Sequence, residues 1–232
     1  WYFILASLQI GQNWQQFGIT DVISISSGIT EYINAIMPGL NIKNVTQSID
    51  RKVFRKYSAE EKQPKIAFMP GRTQDAVIKT YSVIKAFYCF YPQFKSVRFD
   101  ELTSLSKAEF AKRLGTSTLC LYTDEIAGFG TMPLEAMSVG THVVGWTPPG
   151  GKEYITPENG FWAANGDVFH LAELLGKAVE KMIAGQLDSA ESEKHYEMTM
   201  ARYTPEIEKN MVIKTFNEFK AERIQELQKL KK

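Results

Sequence analysis

Short apolar runs alternate along this chain with longer stretches of helical spacing. Lys65–Met69, Ser96–Phe99, Ser117–Tyr122 and His142–Trp146 are rich in β-branched and aromatic residues and bounded by turn formers, which predicts strands. Between them, Asp75–Phe90, Lys107–Leu114 and Met132–Val139 carry apolar residues at three- and four-residue spacing and predict helices. That succession predicts an α/β fold, with a parallel sheet covered by helices on both faces. Val168–Ala184 predicts a further amphipathic helix. Glu206–Leu230 predicts a long terminal one, with Phe216, Phe219, Ile224, Leu227 and Leu230 recurring along it and Lys229, Lys231 and Lys232 at its favourable end.

The first 57 residues read differently. Asp21–Ser26 predicts a strand, Gly28–Met37 a helix and Asn41–Val45 another strand, after which a charged stretch, Arg55–Pro64, separates them from the strand at Lys65–Met69. This opening reads as the last βα unit of a preceding domain, and a chain that opens on Trp1 rather than Met reads as a fragment.

Composition narrows the function classes. The 232 residues are 44% hydrophobic and 23% charged, in the range of ordinary globular domains. Lys and Arg number 27 against 26 Asp and Glu, so no strongly basic field marks a nucleic-acid binder. The apolar opening Trp1–Ile10 is too short to span a bilayer and lacks the pattern of a signal peptide. Two cysteines, Cys89 and Cys120, make no disulfide framework and suit a reducing compartment. Three histidines, His142, His170 and His195, form no metal-binding spacing.

In open parallel sheets ligands bind beyond the carboxyl ends of the strands. Pro70-Gly71-Arg72 follows one predicted strand, Thr123–Thr131 the next, and Thr147–Glu153 a third. In the middle loop Gly128 and Gly130 let backbone amides approach a ligand, Thr131 is placed to cap a helix starting at Met132, and Gly140 to end it. A glycine loop feeding a helix N-terminus either binds an anion, most often phosphate, or simply turns the chain. Glu135, one turn into that helix, either accepts hydrogen bonds from a ribose or complements the helix dipole. Arg72 either meets a diphosphate in bidentate fashion or is a solvated surface arginine. Trp146 and Trp162 either wall a sugar pocket or belong to the core.

The run from Gly128 through Pro133, Glu135 and Gly140 to Gly145 resembles the signature of the family 4 (group 1) type of retaining glycosyltransferases with the GT-B fold. The likeness continues through Gly150-Gly151-Lys152-Glu153-Tyr154-Ile155 and Asn159–Trp162. It reaches upstream to Phe68–Arg72, Val22–Ser26 and Val45–Asp50 with Phe54. The resemblance implies that 1–57 is the remnant of a Rossmann-like acceptor-side domain and that 58–215 is the nucleotide-sugar domain. Residues 216–232 would be a terminal helix returning to the first domain.

Carried over residue by residue, Glu135 would hold the donor ribose. Gly71, Arg72, Gly128, Phe129, Gly130 and Thr131 would hold the diphosphate and sugar, with Gly150, Gly151 and Glu153 beside the sugar. Lys79 is the nearest lysine to the family's, two positions late. The resemblance implies a nucleoside-diphosphate-sugar donor, a glycan or lipid-linked acceptor, no metal or other cofactor, and no nucleic acid. Its commonest setting is polysaccharide assembly in the cytoplasm, with peripheral association at the inner membrane face. The nucleotide base would be read near Asp100–Thr103.

One departure matters. The family places a glutamate eight residues before Glu135, and Ala127 stands there. Asp124 and Glu125 lie just upstream, Glu125 being the candidate substitute carboxylate. Gln47-Ser48 replaces an Asn-Gly often seen in the family before Ile49-Asp50. Ala127 leaves a second reading open: a non-catalytic nucleotide-sugar-binding or assembly subunit on the same fold.

Overall fold

The structure, a computed structural model, describes residues 8–187 and 190–230. The start of the apolar opening, Trp1–Ser7, and the terminal pair Lys231 and Lys232 lie outside them.

The chain begins with a short parallel pair, β1 (Asp21–Ser24) and β2 (Asn41–Asn44), linked by α1 (Ser27–Ile36). Ser26 caps α1 by accepting the Ile29 amide, and Ile29 and Ile33, one turn apart, are the residues the helix buries. Met37 and Leu40 complete this small core.

The larger unit is a five-stranded parallel sheet of β3 (Gln63–Phe68), β4 (Arg98–Glu101), β5 (Ser117–Tyr122), β6 (His142–Trp146) and β7 (Phe161–Ala163). Its order is β4-β3-β5-β6-β7. Alternate residues serve opposite faces. Ile66, Phe68, Leu119, Leu121, Val144 and Trp146 pack under α2 (Gln74–Phe90) and α5 (Val168–Ile183). Ala67, Cys120, Tyr122 and Val143 pack under α3 (Lys107–Gly115), α4 (Thr131–Ser138) and α6 (Ala190–Met200). A sheet buried on both faces explains why its strands read as continuous apolar runs.

Thr73 and Ser106 cap α2 and α3 through their hydroxyls. Two elements were not expected from the residue pattern. β7 has three residues, too short for a period to register, and α6 is charged and only weakly amphipathic.

The connection order reverses at β3, with β4 on one side and β5 on the other, so the crevice between their carboxyl ends is the switch point of the sheet. The last helix, α7 (Pro205–Lys229), runs without a break through 215–216 and returns across the β1–β2 pair. There Lys43 pairs with Glu218 and Glu222 at 3.3 and 2.8 Å, and Arg223 with Asp21 at 3.2 Å. Its expected apolar stripe stays largely in solvent: Phe216, Ile224, Leu227 and Leu230 are exposed, and Thr215 is the one residue the helix buries among those described. Polar contacts hold it together with the half-buried Ile207, Met211 and Phe219, the last lying under the Lys43 ammonium. Each exposed ion pair of this kind contributes roughly 0–1 kcal/mol.

Candidate functional site

A cavity of about 350 Å³ opens at the switch point. Arg72, Thr73 and Ala76 enter it from the turn after β3, and Asp124 and Ile126–Thr131 from the loop after β5. Ile25 and Gln47 close it from the first unit. The two units meet directly beside it. The Ser26 hydroxyl donates to the Gly128 carbonyl at 2.8 Å, and the Ser27 amide and hydroxyl donate to Glu153 Oε2 at 2.8 and 2.9 Å.

The glycine loop is shaped for close approach. Gly130 has φ 80°, a left-handed conformation that a side chain disfavours, and it is the N-cap of α4. Thr131 does not cap the helix, contrary to expectation: it is the first helical residue, and no side chain among the described residues caps the leading amides. Gly130 takes the cap position because the turn into the helix needs the positive φ. Phe129 is among the cavity-lining residues, and its ring is buried edge-on against Tyr154 and Tyr203.

Arg72 stands free enough to meet a ligand. Its side chain is 78% exposed and, among the described residues, makes one ion pair, to Asp124 Oδ2 at 3.2 Å. Asp124 also accepts the Ile126 amide at 3.2 Å, which folds the start of the loop. Glu135 lies one turn beyond Thr131 on α4, and its side chain is not among the cavity-lining groups. Burial raises its carboxyl to about 7, with Lys107 pulling in the other direction.

The remaining candidates are placed elsewhere. Lys79 bonds Glu125 at 2.7 Å and Asp75 at 3.0 Å, so it is occupied away from the cavity, and its pKa is raised chiefly by the Glu125 bond. Glu125 is held in that pair and, like Glu135, is not among the cavity-lining residues. Ala127 itself is buried in the cavity wall. Gly71 packs on Ala76 beside Arg72. Gly150 and Gly151 lie in a buried turn, where a Cβ on Gly150 would fall 1.7 Å from the Gly128 carbonyl oxygen. Gly150 thereby lets its turn touch the loop after β5, and Gly151 packs on Pro148 and Ile155. Glu153 is spent on α1, although its Oε1 is buried without a partner.

Neither Trp146 nor Trp162 lines the cavity. Trp146 is buried and donates to the Asp167 carbonyl, and Trp162 donates to Asn159. His142 is buried with Nδ1 at 2.6 Å from the Tyr196 hydroxyl, and Cys120 is buried with its thiol pushed up by desolvation. Sequence reasoning missed Thr73, Ala76 and Ile126, whose small or apolar side chains carry no chemical signal. It also missed Tyr154, which follows the Gly150–Glu153 run and donates its hydroxyl to the loop from below.

Known proteins resemble this chain both in sequence and in fold. Residues 102–223, more than half of the chain, match the family described as Glycosyl transferases group 1. An alpha-1,6-glucosyltransferase of Actinobacillus pleuropneumoniae serotype 7 (strain AP76) is 28% identical over 105 residues, covering 44% of this chain and 32% of that protein. Sucrose-phosphate synthase from Thermosynechococcus elongatus superposes with a TM-score of 0.70 at 14% identity, covering 95% of this chain and 65% of that one. Anabaena HepE in complex with UDP and glucose gives 0.65 at 16% identity, covering 86% and 63%. The two structural likenesses concern the fold. The chain spans about a third of the curated relative's length and just under two thirds of each of these structures.

Proposed function

This chain belongs to the glycosyl transferases group 1 family, and we propose that it forms the donor side of an enzyme that moves a sugar from a nucleoside diphosphate to a glycan or lipid-linked acceptor. Its fold is of the GT-B type. The observation that carries the reading is the switch-point cavity, where uncapped amides at the start of α4 and the exposed Arg72 guanidinium converge. Those groups suit a diphosphate: backbone N–H donors and a forked cation are the usual partners of phosphate oxygens.

In the proposed reaction, negative charge builds on the diphosphate as the glycosidic bond breaks. Arg72 and the loop amides stabilise it, and the departing diphosphate helps take the acceptor proton. Positioned charge performs the catalysis, with retention at the anomeric carbon and with neither a metal nor another cofactor. Glu135, once ionised, accepts the ribose hydroxyls. The remnant 1–57, the donor unit 58–215 and the terminal helix are the proposed domain division, and the cytoplasmic face of a membrane is the proposed setting.

Calorimetric titration with UDP, GDP and ADP tests the reading. UDP enters first because the Anabaena neighbour was solved with UDP and glucose. One nucleotide should bind, and Glu135→Ala should weaken it roughly tenfold or more, as expected for lost charge-assisted hydrogen bonds. No binding by any of the three overturns the proposal.

Ala127 in the cavity wall, with Glu125 tied to Lys79, supports the second reading, a binder that does not turn over. Sugar release from the cognate donor separates the two. Turnover supports the transferase, whereas binding without turnover that Ala127→Glu does not restore supports the subunit.

A further inference from the structure

Beneath the glycine loop lies a buried aromatic floor. Tyr154 is 1% exposed and sits edge-on to Phe129 and Tyr203, at 5.7 and 6.1 Å between ring centres. Its hydroxyl donates to the Gly130 carbonyl at 2.6 Å and lies 3.2 Å from the Phe129 carbonyl. Burial raises its phenol well above the ordinary value, so it remains an O–H donor.

The consequence follows from peptide geometry. In a planar trans peptide the N–H points opposite to the C=O, and this chain has no cis bond among its described residues. The Phe129 carbonyl shares its peptide with the Gly130 amide, and the Gly130 carbonyl shares its peptide with the Thr131 amide. Both carbonyls are drawn toward the buried phenol, so both amides face away from it. Gly130 and Thr131 line the cavity, and Tyr154 does not. Neither amide donates a hydrogen bond to another described residue.

A further polar group that the fold leaves without a partner lies against the same loop. Tyr122, at the end of β5, is buried with a hydroxyl that has no hydrogen-bond partner, and that oxygen would lie 2.6 Å from a Cβ at Gly130. Buried polar groups normally find partners.

We infer that Tyr154 is a positioning residue for the donor diphosphate: by holding the Phe129 and Gly130 carbonyls it aims the Gly130 and Thr131 amides into the cavity as a preformed anion cradle. This rests on the reading of the cavity as a nucleotide-diphosphate site. Tyr154→Phe removes the hydroxyl and keeps the ring. The experiment measures, for wild type and Tyr154→Phe, the calorimetric affinity of UDP, GDP and ADP and of the matching nucleosides, together with the melting temperature.

The expected result is a diphosphate affinity lowered roughly tenfold, the size of one good hydrogen bond, with nucleoside affinity within twofold. Equal losses for diphosphate and nucleoside overturn the inference and leave the proposed function standing. Failure of every diphosphate to bind wild type overturns both. If Tyr154→Phe does not fold, the wild-type amide resonances decide. Gly130 and Thr131 should shift when the bound diphosphate is added and stay in place with its nucleoside, and stationary resonances at saturation overturn the inference.

Discussion

The two ends of the five-stranded sheet carry cavities of opposite character. At the amino ends, a space of about 690 Å³ is lined by Lys56, Lys62, Met137, His142, Glu193 and Tyr196, among others. Its charges are already matched. The Lys62 ammonium reaches the carbonyls of Gly115, Ser117 and Val139 and the Thr141 hydroxyl at 3.0–3.3 Å. Lys56 pairs with Glu193, Arg51 with Glu197 and Arg55 with Glu61.

At the carboxyl ends the cavity is about half that volume, yet the leading amides of α4 in its wall have no side-chain partner among the described residues. Volume therefore misleads here. Unsatisfied polar groups are costly to keep unless something else binds them, so the smaller cavity is the better candidate. The amino-end lysine sits where α3 and α4 end, and there a cation offsets the two helix dipoles and satisfies their last carbonyls.

The largest expected effect lies at Glu135. Its folded-state value of about 7 exceeds the ordinary 4.5, because burial disfavours the charged form. Between those values the folded state holds more protons than the unfolded one, so stability falls as pH rises from about 4.5 to about 7 and is flat above. The fall amounts to up to roughly 3 kcal/mol. Glu135→Gln should lack it and melt higher than wild type at pH 8, while binding nucleotide more weakly. Parallel melting curves for the two proteins from pH 5 to 8 would remove Glu135 from the set of groups kept at a cost to stability.

Next comes Lys62→Met, which strips the amino-end carbonyls of their donor. Stability should drop by about 2 kcal/mol in chemical denaturation, with nucleotide affinity unchanged within twofold. A matching loss of affinity would mean that the two ends are not independent. The smallest stability effect is expected for Arg72→Ala. An exposed arginine with one carboxylate contact should change stability by less than about 0.5 kcal/mol, yet diphosphate affinity should fall roughly tenfold in the same titration. No change in affinity would leave Arg72 a surface residue only.

Much of the frame was legible from the residue pattern. β5 and β6 begin and end where their apolar runs do, because strands buried on both faces must be apolar throughout. α2, α3 and α5 followed from spacing, since each buries one face against the sheet. The loops after β3 and β5 could be named as the candidate binding edge because chain order alone sets which strand ends carry them. The glycines marked where backbone must approach backbone or ligand.

What could not be read was which polar groups remain free. Glu125, Lys79 and Glu153 are plausible ligand groups in one dimension, but their partners, Asp75 apart, come from elements distant in the chain. The partners of Tyr154 and Tyr122 likewise depend on three-dimensional neighbours. Local order along the chain thus determined most of the strands and helices and the candidate binding edge. Only the tertiary structure decided which side chains are already satisfied, because a hydrogen bond or ion pair between distant residues leaves no trace in either residue's local sequence.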